Sequence, residues 1–442
     1  MLSPAVASAA PFTPGNVVVV RVGDGTASLS NAATATFLLE YTPAGVLVQT
    51  IPLPTAAAGT NSILTNTGTS TSDAVLTRSV NGAYLVLTGY DAVVGTATLA
   101  ATTSATNNRV IGRVAANGTV DTSTRLNDGF SGGNIRSAAT VDGSSFYAIG
   151  SNSGVRYVPF ANTGATATVA LNTTAPTNNR AVGIYGGNLY VSSASGAFLG
   201  VSQVGTGLPT TASQTIISLP GFPTTASAPS QSPFAFYFAD LSTTVAGVDV
   251  VYVADERTSV DGGIQKWSLV NGTWTLNGVI TGATATANGA ALRGVNGQTT
   301  GTTVSLIASG SSGLYVFSDN AGYNAAPSTT ALPSPIATAT ANTAFRGVAF
   351  APVVIASATL ASQAMPGLTV APNPATDRIT VSLPKTGAAT VALRDLTGRV
   401  VLVPAPLAAD QQLRLPTSLA AGVYMLEVQQ GSVSAVRRVQ KN

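Results

Sequence analysis

The 442-residue chain contains no histidine and no cysteine. These absences exclude the Ser-His-Asp and Cys-His nucleophile systems, histidine acid–base chemistry and zinc sites built on either ligand. They also exclude disulfides, so cysteine usage gives no information on the redox compartment. Chemistry that depends on carboxylate, lysine, tyrosine or arginine side chains stays open, as do calcium sites with oxygen ligands.

Charged residues are also scarce, at 8% of the chain, while 45% of residues are hydrophobic and the mean hydropathy is +0.33. No run of 18 apolar residues occurs, because Thr, Ser, Asn and Gly interrupt the apolar stretches. A transmembrane helix is therefore not expected. Few charges together with abundant Thr, Val, Gly and Ala favour strands and turns over surface helices, whose exposed faces need Glu, Lys and Arg.

The charge is distributed unevenly along the chain. Residues 1–360 hold twelve Lys and Arg against thirteen Asp and Glu, whereas residues 361–442 hold eight against four. The isoelectric point of 9.2 therefore reflects the C-terminal part. Basic character confined to that part does not indicate nucleic-acid binding by the larger part.

The N-terminus, MLSPAVASAAPFTPGN, contains small residues in the spacing that signal peptidase prefers, in Ala7-Ser8-Ala9 and Ser8-Ala9-Ala10. A basic segment and most of an apolar segment are missing. We interpret residues 1–10 as the remnant of a signal peptide whose start lies upstream. The alternative is a disordered, alanine-rich terminus.

Arginines recur in similar sequence settings at intervals of 44 to 58 residues, with one position near Ala235 where the setting recurs without arginine. Each interval contains several short apolar segments separated by turn signals such as Asn117-Gly118 and Asn271-Gly272. This period predicts the four-stranded blades of a β-propeller. The recurring residues are Arg78, Arg136, Arg180, Arg293 and Arg346.

The last repeat has only its first strand, AFRGVAFAPV, and the N-terminus supplies strands that resemble the missing three. One blade built from both ends of the chain would close the ring and leave no long exposed sheet edge. The fold class is therefore all-β, with a six-bladed propeller over residues 11–355. Seven blades are the alternative, because a region such as Thr55 to Ser72 is long enough to hold further strands.

The five arginines are expected on the innermost strands, next to the central channel. One interpretation is a ring of guanidinium groups that binds an anionic ligand, such as a carboxylated sugar, through bidentate hydrogen bonds. The other is structural: Asp24, Asp91 and Asp255 recur at the ends of second strands and would pair with the arginines between blades. Recurrence in five of six repeats favours the structural interpretation.

No catalytic residue, metal site or cofactor is predicted. Asp24 and Asp261 lack the ligand spacing of a calcium loop and indicate turns. The adjacent carboxylates Asp255 and Glu256 would point to opposite faces of a strand, which makes them a poor acid–base pair. The aromatic residues that would stack on sugars if exposed, and otherwise belong to the core, are Trp267, Trp274 and Tyr315.

Residues 356–366, ASATLASQAMP, have the composition of a linker. Beyond them, short alternating strands predict a small antiparallel β-sandwich over residues 367–442. The combination of LTVAPNPATDRITV, VALRDLTGRVV, LAAGVYMLEV and the basic end RRVQKN resembles the C-terminal sorting domain of type IX secretion substrates. The residues that carry the resemblance are Pro372, Asn373, Pro374, Asp395, Gly398, Arg399, Gly422 and Tyr424.

The resemblance implies a route and a destination. Such proteins cross the inner membrane with a signal peptide and the outer membrane through the type IX machinery, guided by this domain. A sortase-like peptidase then removes the domain, and the passenger is released or attached to surface lipopolysaccharide. The chain is therefore expected to be secreted or held on the outer-membrane cell surface.

The larger part resembles no functional family that we recognise, and a fold alone does not assign a function. We expect a binding or adhesion module with a glycan as candidate ligand. One alternative is a polysaccharide lyase or hydrolase that uses carboxylates or tyrosine on the propeller face. The other is a passive surface component without a ligand.

Removal of the sorting domain is directly testable. If cleavage falls in the exposed, small-residue linker, mass spectrometry of the mature protein should show no residues beyond about position 367. Intact C-terminal residues on cytoplasmic protein would contradict the export interpretation.

Overall fold

The computed structural model describes residues 9–227, 230–257, 261–281, 291–354, 365, 367–384, 387–395, 400–407, 410–416, 419–430 and 433–442. The chain divides into two compact units, Met1–Val354 and Ile355–Asn442, called here the body and the tail. Of the predicted linker, only Met365 lies among the described residues. Within the described ranges, no helix is long and apolar enough to cross a membrane.

In the described part of the body, the elements are short strands and one 3-10 helix, η1 (Leu99–Ala101). The first thirteen strands are β1 (Val17–Val22), β2 (Ala33–Thr34), β3 (Thr36–Tyr41), β4 (Leu47–Pro52), β5 (Asn66–Thr67), β6 (Thr77–Arg78), β7 (Tyr84–Tyr90), β8 (Arg109–Ala115), β9 (Val120–Leu126), β10 (Ile135–Ala139), β11 (Ser145–Gly150), β12 (Val155–Pro159) and β13 (Val169–Ala170). The remaining strands are β14 (Ala181–Tyr185), β15 (Asn188–Ser195), β16 (Phe198–Val204), β17 (Ile216–Ser218), β18 (Pro233–Ala239), β19 (Val250–Asp255), β20 (Gly263–Val270), β21 (Thr273–Ile280), β22 (Gly294–Thr300), β23 (Thr303–Ser309), β24 (Gly313–Asp319), β25 (Ala337–Thr338) and β26 (Ala344–Phe350).

These strands form four-stranded antiparallel sheets in which neighbours in space are mostly neighbours along the chain. Five sheets have this simple order: β6 to β9, β10 to β13, β14 to β17, β18 to β21 and β22 to β25. Strands β2 and β5 form a separate two-stranded sheet. Antiparallel hairpins of this length need only short turns, which is why Gly and Asn with positive φ punctuate the repeats.

The sixth four-stranded sheet combines the two ends of the body, in the order β26-β1-β3-β4. Val17 lies opposite Phe350 and Val22 opposite Ala344, so the N-terminal strand pairs along the whole length of the last strand. The structure thus contains the shared sheet that the repeat pattern predicts.

The first strands of neighbouring sheets contact one another in a closed cycle, β6–β10–β14–β18–β22–β26 and back to β6. This arrangement confirms the predicted propeller fold, with these inner strands around a central channel. Six such sheets lie among the described residues, and the blade number stays a prediction. Residues 55–72, the region on which the seven-blade alternative rests, contribute only β5 and two isolated bridges to the described structure.

The inner strands approach each other closely enough to require glycine at some positions. A Cβ atom on Gly347 would collide with the backbone nitrogen of Leu76 on the neighbouring inner strand. Glycine therefore follows Arg346 because the two backbones pack directly against each other here.

A buried ion pair joins two neighbouring sheets. Lys266 Nζ lies 2.7 Å from Asp319 Oδ2, and both side chains are completely inaccessible to solvent. Tyr252 donates a hydrogen bond to the same carboxylate oxygen at 2.6 Å, and Lys266 also donates to the carbonyl oxygen of Gly322 at 2.8 Å. The pair is satisfied on both sides, as a buried charge must be.

The tail consists of two antiparallel sheets that share one apolar core, which agrees with the predicted sandwich. The three-stranded sheet contains β27 (Thr369–Ala371), β28 (Arg378–Ser382) and β31 (Gln412–Arg414). The four-stranded sheet has the order β30 (Val400–Pro406), β29 (Thr390–Asp395), β32 (Gly422–Gln430) and β33 (Val433–Lys441).

The buried ion pair predicts a difference between single and double substitutions. Asp319→Ala leaves the Lys266 charge buried and unpaired, and should lower the free energy of unfolding by about 3–5 kcal/mol. The double variant Lys266→Met/Asp319→Leu removes both charges and should recover most of this loss. Urea unfolding of the three proteins measures both effects, and a double variant as unstable as the single one would contradict this account.

Candidate functional site

Four of the recurring arginines lie in equivalent places at the amino ends of inner strands. The backbone nitrogens of Arg180 and Arg293 donate to the carbonyl oxygens of Ser192 and Ser309 in the adjacent second strands, at 2.8 and 3.0 Å. The hydroxyls of the same two serines donate to the carbonyl oxygens of Phe234 and Arg346 in the next sheets, both at 2.6 Å. Phe234 therefore occupies the arginine position in the repeat that lacks arginine.

The fifth arginine, Arg78, lies elsewhere. Val75 donates a backbone hydrogen bond to the carbonyl oxygen of Arg136, and Gly347 donates one to Ala74. Ala74 therefore occupies the equivalent position in this strand, and Arg78 lies four residues further along, at the opposite end of the channel. The structure brings together Arg136, Arg180, Arg293 and Arg346, called here the arginine ring, and excludes Arg78 from it.

Two members of the ring share a carboxylate and an aromatic ring. Arg293 Nε lies 2.7 Å from Glu256 Oε2, and Arg180 lies 3.6 Å from Glu256 Oε1. Both guanidinium groups also lie over the ring of Phe234, at 4.4 Å for Arg180 and 5.6 Å for Arg293. The aromatic residue thus supports two cations from the neighbouring repeats.

The other two members hold loops against the channel. Arg136 donates to Ser72 Oγ, Asn178 Oδ1 and the carbonyl oxygen of Asn179, at 2.6 to 3.0 Å. Arg346 donates to the carbonyl oxygens of Phe345 and Gly68, at 3.0 and 2.8 Å. These contacts give Arg136 and Arg346 a fold-maintaining role.

The carboxylates expected to pair with the arginines do not do so, and that part of the structural interpretation is wrong. Asp24 accepts hydrogen bonds from Thr26 within its own turn, and Asp91 pairs with Arg125 at 3.6 Å. Asp255 pairs with Arg257 at 2.9 Å, while Glu256, one residue further, faces the ring. Adjacent residues at a strand end point in opposite directions, so the neighbour of the expected residue reaches the channel.

Asp73 is a carboxylic acid enclosed beside the ring. Its side chain is completely buried, accepts hydrogen bonds from the backbone nitrogen and hydroxyl of Thr67, and lies 3.9 Å from Arg346 Nε. Burial raises the pKa of Asp73 to about 6, although the charge of Arg346 opposes this change. Neither Asp73 Oδ1 nor Arg346 Nε has a hydrogen-bond partner among the described residues.

At the carboxyl ends of the inner strands, the channel widens into a cavity of about 440 Å³, called here the channel cavity. Tyr185 and Tyr237 form part of its wall, with ring centroids 5.9 Å apart and planes at 85°. Their hydroxyls are engaged by the protein: Tyr185 donates to the carbonyl oxygen of Phe236, and Tyr237 hydrogen-bonds Thr299, both at 3.0 Å. Hydrogen bonds to other residues of the cavity wall therefore hold both rings in place.

Glycines on the inner strands make room for these rings. A Cβ atom on Gly183 would meet the ring of Tyr185 at 2.6 Å, and one on Gly297 would collide with the ring of Tyr237. A larger residue at either position would displace a tyrosine from the wall. The aromatic lining of the cavity thus depends on backbone positions that lack side chains.

Arg78 lines the channel cavity, with its guanidinium against Gly82, and has no carboxylate partner. Its Nε donates to the carbonyl oxygen of Gly82 at 3.3 Å, and burial lowers its pKa with no neighbouring charge to oppose the change. Every Asp and Glu of residues 1–354 lies in the described ranges, and none of them forms an ion pair with Arg78. Arg78 is therefore a partly buried cation that the body does not neutralise.

The remaining aromatic candidates belong to the core. Trp267 is buried and stacks on Phe222 at 4.4 Å, and Trp274 is buried against Phe238 at 5.5 Å. Tyr315 is half-buried beside the same core. Asp261 lies in a turn with a positive φ, as expected.

Several of the described residues of the sorting motif connect separate segments of the tail. Asn373 donates to the carbonyl oxygen of Arg438 and accepts from the backbone nitrogen of Gln440, both at 2.8 Å. Asp395 lies opposite Tyr424 in adjacent strands, and the Tyr424 hydroxyl donates to the carbonyl oxygen of Ala420 at 2.8 Å. Pro372 and Pro374 flank Asn373, and Gly422 begins β32. Gly398 and Arg399 lie outside the described residues.

Sequence reasoning did not identify Tyr185, Tyr237, Phe234, Asp73 or Glu256 as residues of the channel. The segment PFAFYFAD gave a partial signal for the aromatic residues of the channel, because aromatics replace β-branched residues in this inner strand. The positions of the other residues depend on contacts between sheets.

The tail matches the family model described as the secretion system C-terminal sorting domain, over residues 369–442. This domain marks proteins that are secreted or attached to the cell surface through type IX secretion, and it implies interaction of this chain with that machinery. The chain is therefore a type IX-sorted protein with a propeller-like body.

Solved structures similar to the chain have low identity to it. A putative 6-phosphogluconolactonase from Bacteroides uniformis is 12% identical, with 91% of this chain and 100% of that chain covered and a TM-score of 0.38. PorZ, a surface component of the type IX secretion system of Porphyromonas gingivalis, is 12% identical, with 93% and 64% covered and a TM-score of 0.31. The β-propeller domain of Cps50 (Swd1) from Myceliophteria thermophila is 10% identical, with 56% and 83% covered and a TM-score of 0.31. No curated protein matches the chain.

The buried acid Asp73 predicts a pH dependence of stability. Because its pKa is raised from 3.8 to about 6, the folded state binds an extra proton between these values, and stability should fall as pH rises through this window. The total change is about 3 kcal/mol, since one pKa unit corresponds to ~1.4 kcal/mol. Urea unfolding at pH 4 to 8 should show this slope in the wild-type protein and not in Asp73→Asn.

The exposed turn residue Asp142 provides the matched control, since Asp142→Asn should leave the slope unchanged. An identical pH profile for wild type and Asp73→Asn would contradict the assignment.

Proposed function

We propose that the body is a binding module on the cell exterior and that its ligand is an acidic carbohydrate held in the channel cavity. The observation that carries the proposal is the position of Arg78, a partly buried guanidinium in a cavity of about 440 Å³ with no carboxylate partner. A volume of this size is typical of pockets that hold small organic ligands.

The electrostatics of Arg78 favour an anion. Removing a cation from water costs free energy, and in folded proteins a partner normally offsets this cost. Arg125 and Arg156, for comparison, have carboxylates at 3.6 and 3.2 Å. A ligand carboxylate would supply the missing partner of Arg78 and accept two parallel hydrogen bonds from its planar group.

The wall of the cavity favours a sugar as the carrier of that carboxylate. The hydroxyls of Tyr185 and Tyr237 are used by the protein, so these residues offer their ring faces and edges to a ligand. Aromatic rings pack against apolar faces, and a sugar ring has an apolar face of C–H groups. The polar groups that remain for hydroxyl recognition include Asn296 and the exposed carboxylate of Asp240.

Export supports the same conclusion. The sorting domain directs the chain outside the cell, where polysaccharides are available. We extend the proposal to maturation: an upstream signal peptide is removed, and a sortase-like peptidase removes the tail and attaches the body to surface lipopolysaccharide. The resemblance of the tail supports this part of the proposal, and mass spectrometry of the mature protein tests it.

The binding proposal is tested with a panel of glycans that differ in charge. The protein should bind uronic-acid-containing oligosaccharides, and binding should weaken at least about tenfold when the carboxylates are reduced to alcohols. Arg78→Ala should cause a similar loss by removing the cation, and Tyr237→Ala should also weaken binding by removing a wall of the cavity. Isothermal titration calorimetry measures the dissociation constants.

Arg125→Ala is the matched control, because Arg125 is a partly exposed arginine with its own carboxylate partner, Asp91. It should leave glycan affinity unchanged. Equal binding of reduced and native oligosaccharides, or unchanged binding by Arg78→Ala, would contradict the proposal. Release of unsaturated or reducing sugar products in the same mixtures would instead support a lyase or hydrolase, and a complete lack of binding would support a passive surface role.

A further inference from the structure

We infer that the opposite end of the channel, at the arginine ring, is a second site, which binds one compact oxyanion: a carboxylate, sulfate or phosphate group. Arg180 and Arg293 would contact the anion directly, with Arg136 beside them. The inference is independent of the proposed function, since it concerns different residues at the other end of the channel.

The first argument is the charge balance. The ring contains four arginines, and Arg257 lies beside it in an ion pair with Asp255. The carboxylates that act on the ring arginines are Asp73, Asp255 and Glu256. The ring, with the adjoining Asp255–Arg257 pair, therefore contains five cations and three anions. The body residues outside the described ranges, 1–8, 228–229, 258–260 and 282–290, contain no Asp or Glu that would change this balance.

The second argument is the number of unused donors. Arg293 hydrogen-bonds Glu256 through Nε, which leaves both of its terminal NH2 groups without a partner among the described residues. Glu256, at 3.6 Å, is the only side-chain or backbone acceptor for the Arg180 guanidinium within the same ranges. Their side chains are 20% and 21% exposed, so solvent and a ligand can reach these donors. Terminal guanidinium nitrogens are well suited to oxyanions because they donate in a planar, paired geometry.

The third argument is that both donors are already in position. Phe234 lies under both guanidinium groups, and Glu256 contacts both. Side chains that are held before the ligand arrives lose less conformational entropy on binding. The positive charges of the ring also repel one another. Burial is the main cause that lowers the pKa of Arg136, and the charge of Arg180 is the second. A bound anion would relieve this repulsion.

The available space limits the kind of ligand. A gap beside the ring, lined by Asp73, Arg293, Arg346 and Phe234 among others, measures only about 10 Å³, which accommodates one water molecule. A whole sugar ring does not fit in this gap, so a ligand would present only its charged group here. This geometry favours a sulfate, phosphate or carboxylate substituent over a whole sugar ring.

The inference is tested by calorimetric titration of the full chain with sodium sulfate, with sodium phosphate, and with a sulfated oligosaccharide and its desulfated form. The sulfated oligosaccharide should bind, and desulfation should weaken binding about tenfold or more, because the charged group makes the contacts. Arg180→Gln and Arg293→Gln should each cause a similar loss. Arg78→Ala, at the other end of the channel, should leave this affinity unchanged.

A second variant guards against loss of binding through misfolding. Glu256→Gln removes the carboxylate that competes for Arg180 and Arg293, and should tighten oxyanion binding several-fold, a gain that a misfolded protein would not show. Binding of inorganic sulfate or phosphate as tight as that of the oligosaccharide would identify a free ion as the ligand. Much tighter oligosaccharide binding would identify an anionic substituent on a glycan.

The inference would be overturned if none of the four ligands bound saturably, if Arg180→Gln and Arg293→Gln bound as the wild type does, or if Glu256→Gln bound more weakly. Loss of sulfated-ligand binding in Arg78→Ala alone would assign that binding to the channel cavity, and would overturn this inference while leaving the proposed function intact.

Discussion

The antiparallel pairing of β1 with β26 is the contact on which the rest of the body depends. It joins residue 17 to residue 350 and so unites the two ends of a unit of more than 300 residues. The pairing supplies β26 with the three further strands of its sheet, and it removes the free edges that an open array of sheets would expose. Closure also holds the inner strands in one cycle around the channel.

All inner strands run in the same direction through the channel. Their amino ends therefore meet at one end and their carboxyl ends at the other, and the two ends differ chemically. Their amino ends bring Arg136, Arg180, Arg293 and Arg346 together, with Phe234 in the position that lacks arginine. Their carboxyl ends form the cavity with Arg78. One end is rich in cations, and the other contains a partly aromatic cavity of about 440 Å³ lined by Arg78, which has no carboxylate partner.

The repeat pattern, the shared closing sheet and the sandwich of the tail were all predictable from the sequence. Each depends on a local signal that recurs, such as an apolar strand followed by a turn. The channel residues were predicted less well. Sequence intervals grouped Arg78 with the other arginines, whereas hydrogen bonds between inner strands put Ala74 in that place. An interval of 58 residues cannot reveal a shift of four residues in one strand, because loops absorb such differences at little cost.

The sequence by itself determined the fold class, the export route and the absence of histidine and cysteine chemistry. These properties follow from composition, from periodicity and from the combination of motifs in residues 367–442 that resembles a known sorting domain. Tertiary structure alone decided which carboxylate meets which arginine: Glu256 reaches the ring and its neighbour Asp255 does not. The physical reason is that side chains alternate between the two faces of a strand, while register between sheets depends on packing across the whole ring. Glu256 therefore contacts the ring because it lies one residue after Asp255 and points the other way. Arg78 lies four residues after Ala74, which occupies the ring position in that strand, and it remains available to a ligand.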